Sequence, residues 1–223
     1  MTRRQTPLSL AWLLSVALAS WQPQPTYAVS CSSSPLVLDL AGDGILTTSL
    51  FSPVVFDLFG NGIPVRTGWT NEDSEDAFLW TDLNGDGVVT NGRELFGDST
   101  RRPDGTMASN GFEALKIYDG LDSGGNGDGR ISGRDAFWTF LRLWIDRNHD
   151  GITDAGETYD LADFGIEEIQ LSYREDADVD GSGNWHFLKS EFTRRVEAPW
   201  GEAIITRAIE DLYFGYERID STP

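Results

Sequence analysis

The chain has 223 residues, 39% of them hydrophobic and 12% aromatic, which is enough apolar material for one sizeable core. Asp and Glu number 36 against 17 Lys and Arg, a formal charge of −19 that disfavours nucleic acid as a partner. A single cysteine excludes an internal disulfide framework, and one cysteine with two distant histidines excludes a zinc site of familiar spacing.

The first 28 residues read as a secretory signal. Arg3 and Arg4 precede an apolar run from Leu8 to Trp21 that is shorter than a membrane span. Cleavage after Ala28 and cleavage after Ala19 both satisfy the small-residue spacing. Residues 29–34 form a Ser-rich linker, and Cys31 within it offers a lipid-attachment point, the one route to a membrane. Removing the signal takes away two arginines and no acid, so the mature chain is more acidic still. Its charge is spread through Asp- and Gly-rich turns, where divalent cations would relieve it locally.

From Pro35 to Leu40 the chain alternates as a strand and runs into a turn in which Asp39 and Asp43 stand at positions 1 and 5 of half a calcium loop. Two strand-like runs, Val54 to Phe59 and Ile63 to Trp69, flank Gly60, Asn61 and Gly62 and predict a hairpin; Asp57 heads a second half-loop there. Ala77 to Trp80 is a short apolar run. It leads into Asp82, Asn84, Asp86 and Gly87, correct at positions 1, 3, 5 and 6 of an EF-hand calcium loop, with the carbonyl of Val88 at position 7. The closing acid of this loop, Glu94, comes one residue late.

Asn110 to Asp119 carries Phe112, Leu115 and Tyr118 on one helical stripe, with Asn110 as N-cap. In the Gly-rich stretch that follows, Asn126, Asp128 and Asp135 fit positions 3, 5 and 12, and either Asp119 or Asp122 folds back to supply the first ligand. Phe137, Phe140, Leu141, Trp144 and Ile145 keep helical spacing and predict a second helix. It would enter the best loop of all, in which Asp146, Asn148, Asp150, the carbonyl of Ile152, Asp154 and Glu157 occupy positions 1, 3, 5, 7, 9 and 12 and Gly151 takes the sharp turn at 6.

Leu161 and Phe164 fit a short helix stopped by Gly165, and Ile169, Leu171 and Tyr173 alternate as a strand. Asp176 to Gly181 looks like the start of another loop, but Gly183 and Asn184 favour a hairpin turn before a returning strand from Trp185 to Val196. Glu202 to Tyr213 is ambiguous between strand and helix. The expected architecture is a single α+β domain over residues 35–214, in which small β-hairpins and two or three short helices are joined by EF-hand-like calcium loops, followed by a tail at 215–223.

Several of these segments together carry a resemblance: Pro35 to Ile45, Asp82 to Gly87, Gly92 to Asp98, Asn110 to Leu115, and Leu141 to Trp144 running into Asp146. Over about residues 35–173 the chain resembles secreted bacterial EF-hand-like calcium-binding proteins, and more distantly the self-processing module of RTX-type exported proteins. A Tyr-Asp pair before a Gly-rich insertion in the secreted group matches Tyr118 and Asp119, and so favours Asp119 over Asp122. Self-processing modules cut an Asp-Pro bond at their own start once calcium folds them. Here Ser34 stands before Pro35, and serine has no carboxylate with which to form the cyclic anhydride, so the resemblance implies the fold and calcium binding without the cleavage.

The functional expectation is an exported, non-enzymatic, acidic calcium-binding protein, secreted, periplasmic or on the cell surface. Its partners would be calcium and an extracellular or cell-surface protein or polysaccharide. A self-processing or cross-linking module is the alternative. A hydrolase built on Glu167 and Glu168, or on His149 or His186 with an acid, has no recognisable spacing behind it.

Overall fold

The computed structural model of the protein describes residues 33–219. The signal segment, its two cleavage positions and Cys31 lie outside the described residues. In chain order the elements are β1 (Leu36–Asp39), β2 (Val54–Phe56), β3 (Val65–Thr67), β4 (Asp76–Thr81), α1 (Gly111–Lys116), β5 (Arg130–Ser132), β6 (Leu141–Trp144), β7 (Thr158–Asp160), β8 (Ile166–Gln170), β9 (Arg174–Val179), β10 (Trp185–Ala198), β11 (Gly201–Tyr213) and β12 (Tyr216–Arg218). The large sheet runs β5-β8-β10-β11-β1-β4-β6-β7, with β9 also pairing on β10, and a small sheet runs β12-β3-β2. Strand β12 lies in the stretch that the sequence placed in a tail, and it pairs with β3 from Tyr216 to Arg218.

The central strands are apolar on both faces because each face meets a core. Leu36, Leu38, Ala77, Leu79, Leu141 and Leu143 project to one side, where they pack with Phe96, Phe112, Leu115, Ile131 and Phe192. Val37, Phe78, Trp80, Trp144 and Leu212 project to the other, against Val54, Phe56, Val65 and Trp69. The period of two that separates Leu36 and Leu38 from Val37 is that of a pleated strand. Trp69 is the hub of the second core, with ring centroids 4.5 Å from Phe78, 5.1 Å from Phe56 and 5.7 Å from Trp144.

The expected α+β architecture is therefore corrected to a mostly β one. Among the described residues the only α-helix is α1, six residues long, with Asn110 as its N-cap accepting the Glu113 amide at 2.8 Å. It coincides with the predicted stripe, whose last residues, Ile117–Asp119, tighten into a 3-10 turn. The second helix is absent. Ala136–Phe140 forms a 3-10 turn and Leu141–Trp144 is strand β6. The helical spacing misled because it also fits a strand between two cores: Leu141 and Ile145 belong to one core, Trp144 to the other, and Phe140 is 60% exposed. Pairing with β4, which sets Phe78 opposite Trp144 and Leu79 opposite Leu143, decides the matter. The same non-local logic makes the ambiguous segment a strand, β11, held by β10 on one side and β1 on the other.

Several expected elements are present. The hairpin at residues 54–69 appears as β2 and β3, the Leu161–Phe164 turn ends at Gly165 with φ +65°, and β9 and β10 join through a turn at residues 180–184. That turn is clamped to the loop before β2. Asp180 accepts from Thr47 and sits 3.2 Å from Nε2 of His186, whose Nδ1 lies 2.6 Å from Glu210.

Strand and helix make opposite predictions at two side chains. Leu143→Ala should cost about 2–5 kcal/mol in urea unfolding, the range for a fully buried leucine. Phe140→Ser should stay within about 0.5 kcal/mol, as expected for a surface site; a large loss there would restore the helix.

Candidate metal-binding loops

Loop 146–157 closes the β6–β7 hairpin, in which Trp144 pairs with Thr158. Asp146 is buried at the end of β6, where its carboxylate accepts the amides of Asp150 at 3.2 Å and Gly151 at 2.8 Å, together with the Trp69 indole at 2.8 Å. Buried Glu157, at the start of β7, accepts the amides of Arg147 at 2.9 Å and Asp154 at 3.0 Å. One carboxylate thus gathers the first half of the loop, and the other ties the loop's entrance to its exit. Burial is the main cause lifting the Asp146 carboxyl above its ordinary range; the Gly151 and Asp150 amides oppose the rise, and repulsion from Glu157 and Asp150 adds to it.

Loop 82–94 repeats the pattern. Asp82 accepts the amides of Gly85 at 2.7 Å and Gly87 at 2.9 Å, and Glu94 accepts the amide of Thr90 at 2.8 Å and its hydroxyl at 2.7 Å. Thr90, like Asp154, is position 9, so the extra residue before Glu94 is absorbed and its carboxylate still closes the loop. Ligand oxygens of Asp82, Asp86 and Glu94 lie within 4.8 Å of one another. Glu94 is 3% exposed, and its Oε1 is buried without a hydrogen-bond partner. A buried carboxylate oxygen with no donor is costly unless something else supplies positive charge.

Loop 119–135 follows the same rules with its first ligand displaced along the chain. Asp119, buried at the end of the turn after α1, accepts the amides of Asp128 at 3.1 Å and Gly129 at 2.9 Å, which are positions 5 and 6. Buried Asp135 accepts those of Asn126 at 3.1 Å and Ser132 at 2.8 Å, the latter again position 9. The choice left open by the sequence falls on Asp119; Asp122 is exposed in the turn Leu121–Ser123, outside this pattern.

Backbone conformation agrees across the three loops. Position 6 is Gly87, Gly129 or Gly151, with φ between +72° and +81°. Position 4 is also left-handed, as Gly85, Gly127 and His149, and His149 at φ +59° is the only non-glycine residue of positive φ among those described. Its ring offsets the strain, with Nδ1 2.9 Å from the Thr70 carbonyl and Nε2 3.0 Å from that of Ser52. At position 7 the amides of Val88, Arg130 and Ile152 donate to Asp86, Asp128 and Asp150 at 3.0, 3.1 and 2.8 Å. At position 3, Asn84, Asn126 and Asn148 donate to the same three aspartates, and Asn148 reaches Asp154 at 2.9 Å.

Sequence reading missed four contributors. Arg130 occupies the carbonyl position of the middle loop, His149 anchors the last loop, Thr90 braces Glu94, and Thr153 joins two loops by accepting the Val89 amide at 2.9 Å. Alignment of the three loops at position 7 would have shown Arg130; the other roles depend on contacts between distant segments. The helix expected between Asp135 and Asp146 is replaced by a 3-10 turn and strand β6, and among the described residues α1 is the only α-helix near any of the three loops, so the likeness to an EF-hand is confined to the loops. Glu167 and Glu168, a paired-acid candidate, are tied to different arginines, Arg195 and Arg130.

The start of the domain carries a separate buried acid cluster. Ser34 is fully buried beside Pro35, and its amide donates to Asp98 at 3.0 Å. Fully buried Asp211 on β11 accepts the Gly111 amide at 3.0 Å. Burial drives both carboxyls up, Asp98 to about 6 against the Ser34 amide and Asp211 to about 7 against the Gly111 amide.

An antiparallel β domain whose connections are wound around carboxylates, with donors that are all oxygen, is a scaffold suited to hard divalent cations. Residues 36–199 match the family model described as SPM domain, and the chain belongs to that family. It is 41% identical over 162 residues to the iron-regulated protein FrpA of Neisseria meningitidis serogroup C. That match covers 72% of this chain and 14% of FrpA, so the chain corresponds to a small part of that protein. Among the described residues no helix is long and apolar enough to cross a membrane.

The buried groups predict an unusual pH dependence. Asp98 and Asp211 have folded values above their unfolded one, so their contribution is full below about pH 4 and is lost as pH rises through about 6 and 7. Burial opposes the His186 cation, but hydrogen bonds to Asp180 and Glu210 lift it to about 9, so its contribution is full below about 6.5 and is lost towards 9. Unfolding free energy at fixed salt composition should therefore fall from pH 5 to 9 in the parent. Asp211→Asn should flatten the part below pH 7, as measured by urea unfolding at each pH; an unchanged slope would mean that Asp211 is ionised when folded.

Proposed function

We propose that the protein is an exported, non-enzymatic calcium-binding protein whose folding and partner contacts depend on extracellular calcium. The observation that carries this reading is the arrangement of Asp82, Asp86 and Glu94, with ligand oxygens within 4.8 Å of one another and a buried Glu94 oxygen that nothing else satisfies. Asp82, Asn84, Asp86, the Val88 carbonyl and Glu94 would hold one ion. Asp119, Asn126, Asp128 and Asp135 would hold a second, and Asp146, Asn148, Asp150, the Ile152 carbonyl, Asp154 and Glu157 a third. Bound calcium supplies concentrated positive charge that the carboxylates lack among themselves.

Folding and binding are coupled through the positions of the acids. Asp146 receives the indole of Trp69, the hub of one core, and Asp119 ends the turn that follows α1 on the other. Repulsion among uncompensated carboxylates therefore acts directly on the elements that build both cores. A ligand at about a hundred times its dissociation constant adds about 2.7 kcal/mol per independent site. Loops of extracellular modules bind at about 0.1–1 mM, so such protection suits a calcium-rich exterior and fades at cytosolic calcium levels. The acidic, signal-bearing sequence supports export to the periplasm, cell surface or medium. A surface or extracellular protein or polysaccharide would be the partner, with a membrane involved only through lipidation of Cys31.

Calorimetric titration of calcium into the chelator-stripped mature protein, with far-ultraviolet circular dichroism at both end points, tests this. Binding with a gain of ordered structure is expected, and Asp82→Ala and Asp146→Ala should each abolish a binding step. No heat and no spectral change at about 10 mM calcium, well above the extracellular range, would overturn the reading.

Calcium-triggered self-processing is the competing proposal. Ser34 offers no carboxylate to attack its own carbonyl, and a hydroxyl there cannot form an anhydride. The intact mass of the mature chain should be unchanged after prolonged incubation in calcium. A fragment beginning at Pro35 would reinstate processing.

A further inference from the structure

We propose a further divalent-cation site at the half-loop headed by Asp39, completed by Asp76 from the neighbouring strand instead of by an acid of its own. The inference rests on the calcium reading of the other three loops and extends it to residues that the motif alone leaves as a turn. In sequence the half-loop ends without a closing acid, because position 12 is Leu50.

The local backbone is already that of the complete loops. Asp39 accepts the amides of Gly42 at 2.6 Å and Gly44 at 3.0 Å, positions 4 and 6, as Asp82 accepts those of Gly85 and Gly87. Gly42 and Gly44 have φ of +88° and +92°, the left-handed conformation shared by positions 4 and 6 elsewhere. Asp43 is exposed at position 5, the place of Asp86, Asp128 and Asp150.

The closing acid comes from β4. Asp76 lies opposite Asp39 in the β1–β4 ladder, and its Oδ2 accepts the amide of Leu46, position 8, at 2.8 Å. Glu94, Asp135 and Glu157 do the same with the amide of position 9, so Asp76 takes the closing role one residue earlier. Its side chain is therefore aimed into the exit of the loop. Asp76 is 1% exposed and its Oδ1 has no hydrogen-bond partner. Glu94 Oε1 is in the same condition in a complete loop, which makes the two orphaned oxygens parallel observations. A hard cation held by Asp39, Asp43 and Asp76 would satisfy the orphaned Asp76 oxygen. Two arginines lie beside the loop: the Arg194 guanidinium donates to the Leu40 carbonyl at 2.7 Å, and the Arg207 side chain packs on Gly42, where an added Cβ would lie 2.3 Å from its Nε; among the described residues neither forms an ion pair with Asp39, Asp43 or Asp76.

The second half-loop shows what a plain turn looks like. Asp57 accepts the amides of Asn61 at 3.1 Å and Gly62 at 2.8 Å, yet among the described residues no carboxylate accepts an amide at its exit.

Native mass spectrometry of the chelator-stripped mature protein titrated with calcium chloride tests the site by counting bound ions. The parent should hold one ion more than the three loops account for. Asp76→Asn and, at an exposed position that leaves the core untouched, Asp43→Asn should each bind one ion fewer than the parent, and Asp57→Asn should match it. If the parent saturates with the ions of the three loops alone, or Asp43→Asn loses none, the Asp39 site is overturned while the calcium reading stands. If the parent binds no calcium, the proposed function falls and this site with it.

Discussion

The constraint on which the structure depends is a carboxylate that accepts the backbone amides of its own loop. In the loops headed by Asp39, Asp57, Asp82 and Asp146, one aspartate gathers two amides within a few residues of itself, and Asp119 does the same from further back along the chain, each winding the backbone into a tight turn. Such bonds are charge-assisted and stronger than neutral ones, and they satisfy donors that a tight turn would otherwise leave exposed or orphaned. The closing acid then accepts an amide near the exit of the loop and, as Asp135 and Glu157, one near its entrance as well. The two acids draw several like charges into one small volume, so the geometry that orders the loop also concentrates negative charge in it.

The large sheet turns this local device into a fold. Strands β1, β4 and β6 are enclosed on both faces, and their ends carry Asp39, Asp76 and Asp146 directly into the loops. Indole donors reach from the aromatic core to the acids, Trp69 to Asp146 at 2.8 Å and Trp144 to Glu157 at 3.5 Å. Thr153 and Val89 join the first and last of the complete loops. Charge compensation in the loops and packing in the cores are thus one cooperative system, and a change at either should be felt at the other.

Pairing in the sheet is strongly non-local. β1 sits between β11, from the far end of the chain, and β4, while β12 returns to β3. Such contacts close long loops at an entropic cost that grows with chain separation. An isolated fragment carrying one loop would lack the strands that bury its acids.

Sequence alone determined the loops, because the chemistry that shapes them is contained within about a dozen residues: Asp at position 1, Asn at 3, Asp at 5 and Gly at 6 state their own hydrogen bonds. It also determined α1 and its Asn110 cap, the β2–β3 hairpin and the turn at residues 180–184, each set by its neighbours along the chain. Tertiary structure alone decided that Phe137 to Ile145 is a turn and a strand, that Glu202 to Tyr213 is a strand, and that the fold is mostly β. Those segments are apolar on more than one face, and only the partner strand and the presence of two cores select the period. The same reason separates Asp119 from Asp122 and brings Asp76 to the loop of Asp39: a carboxylate delivered from another segment has no fixed spacing to its loop, so tertiary register, not sequence distance, places it.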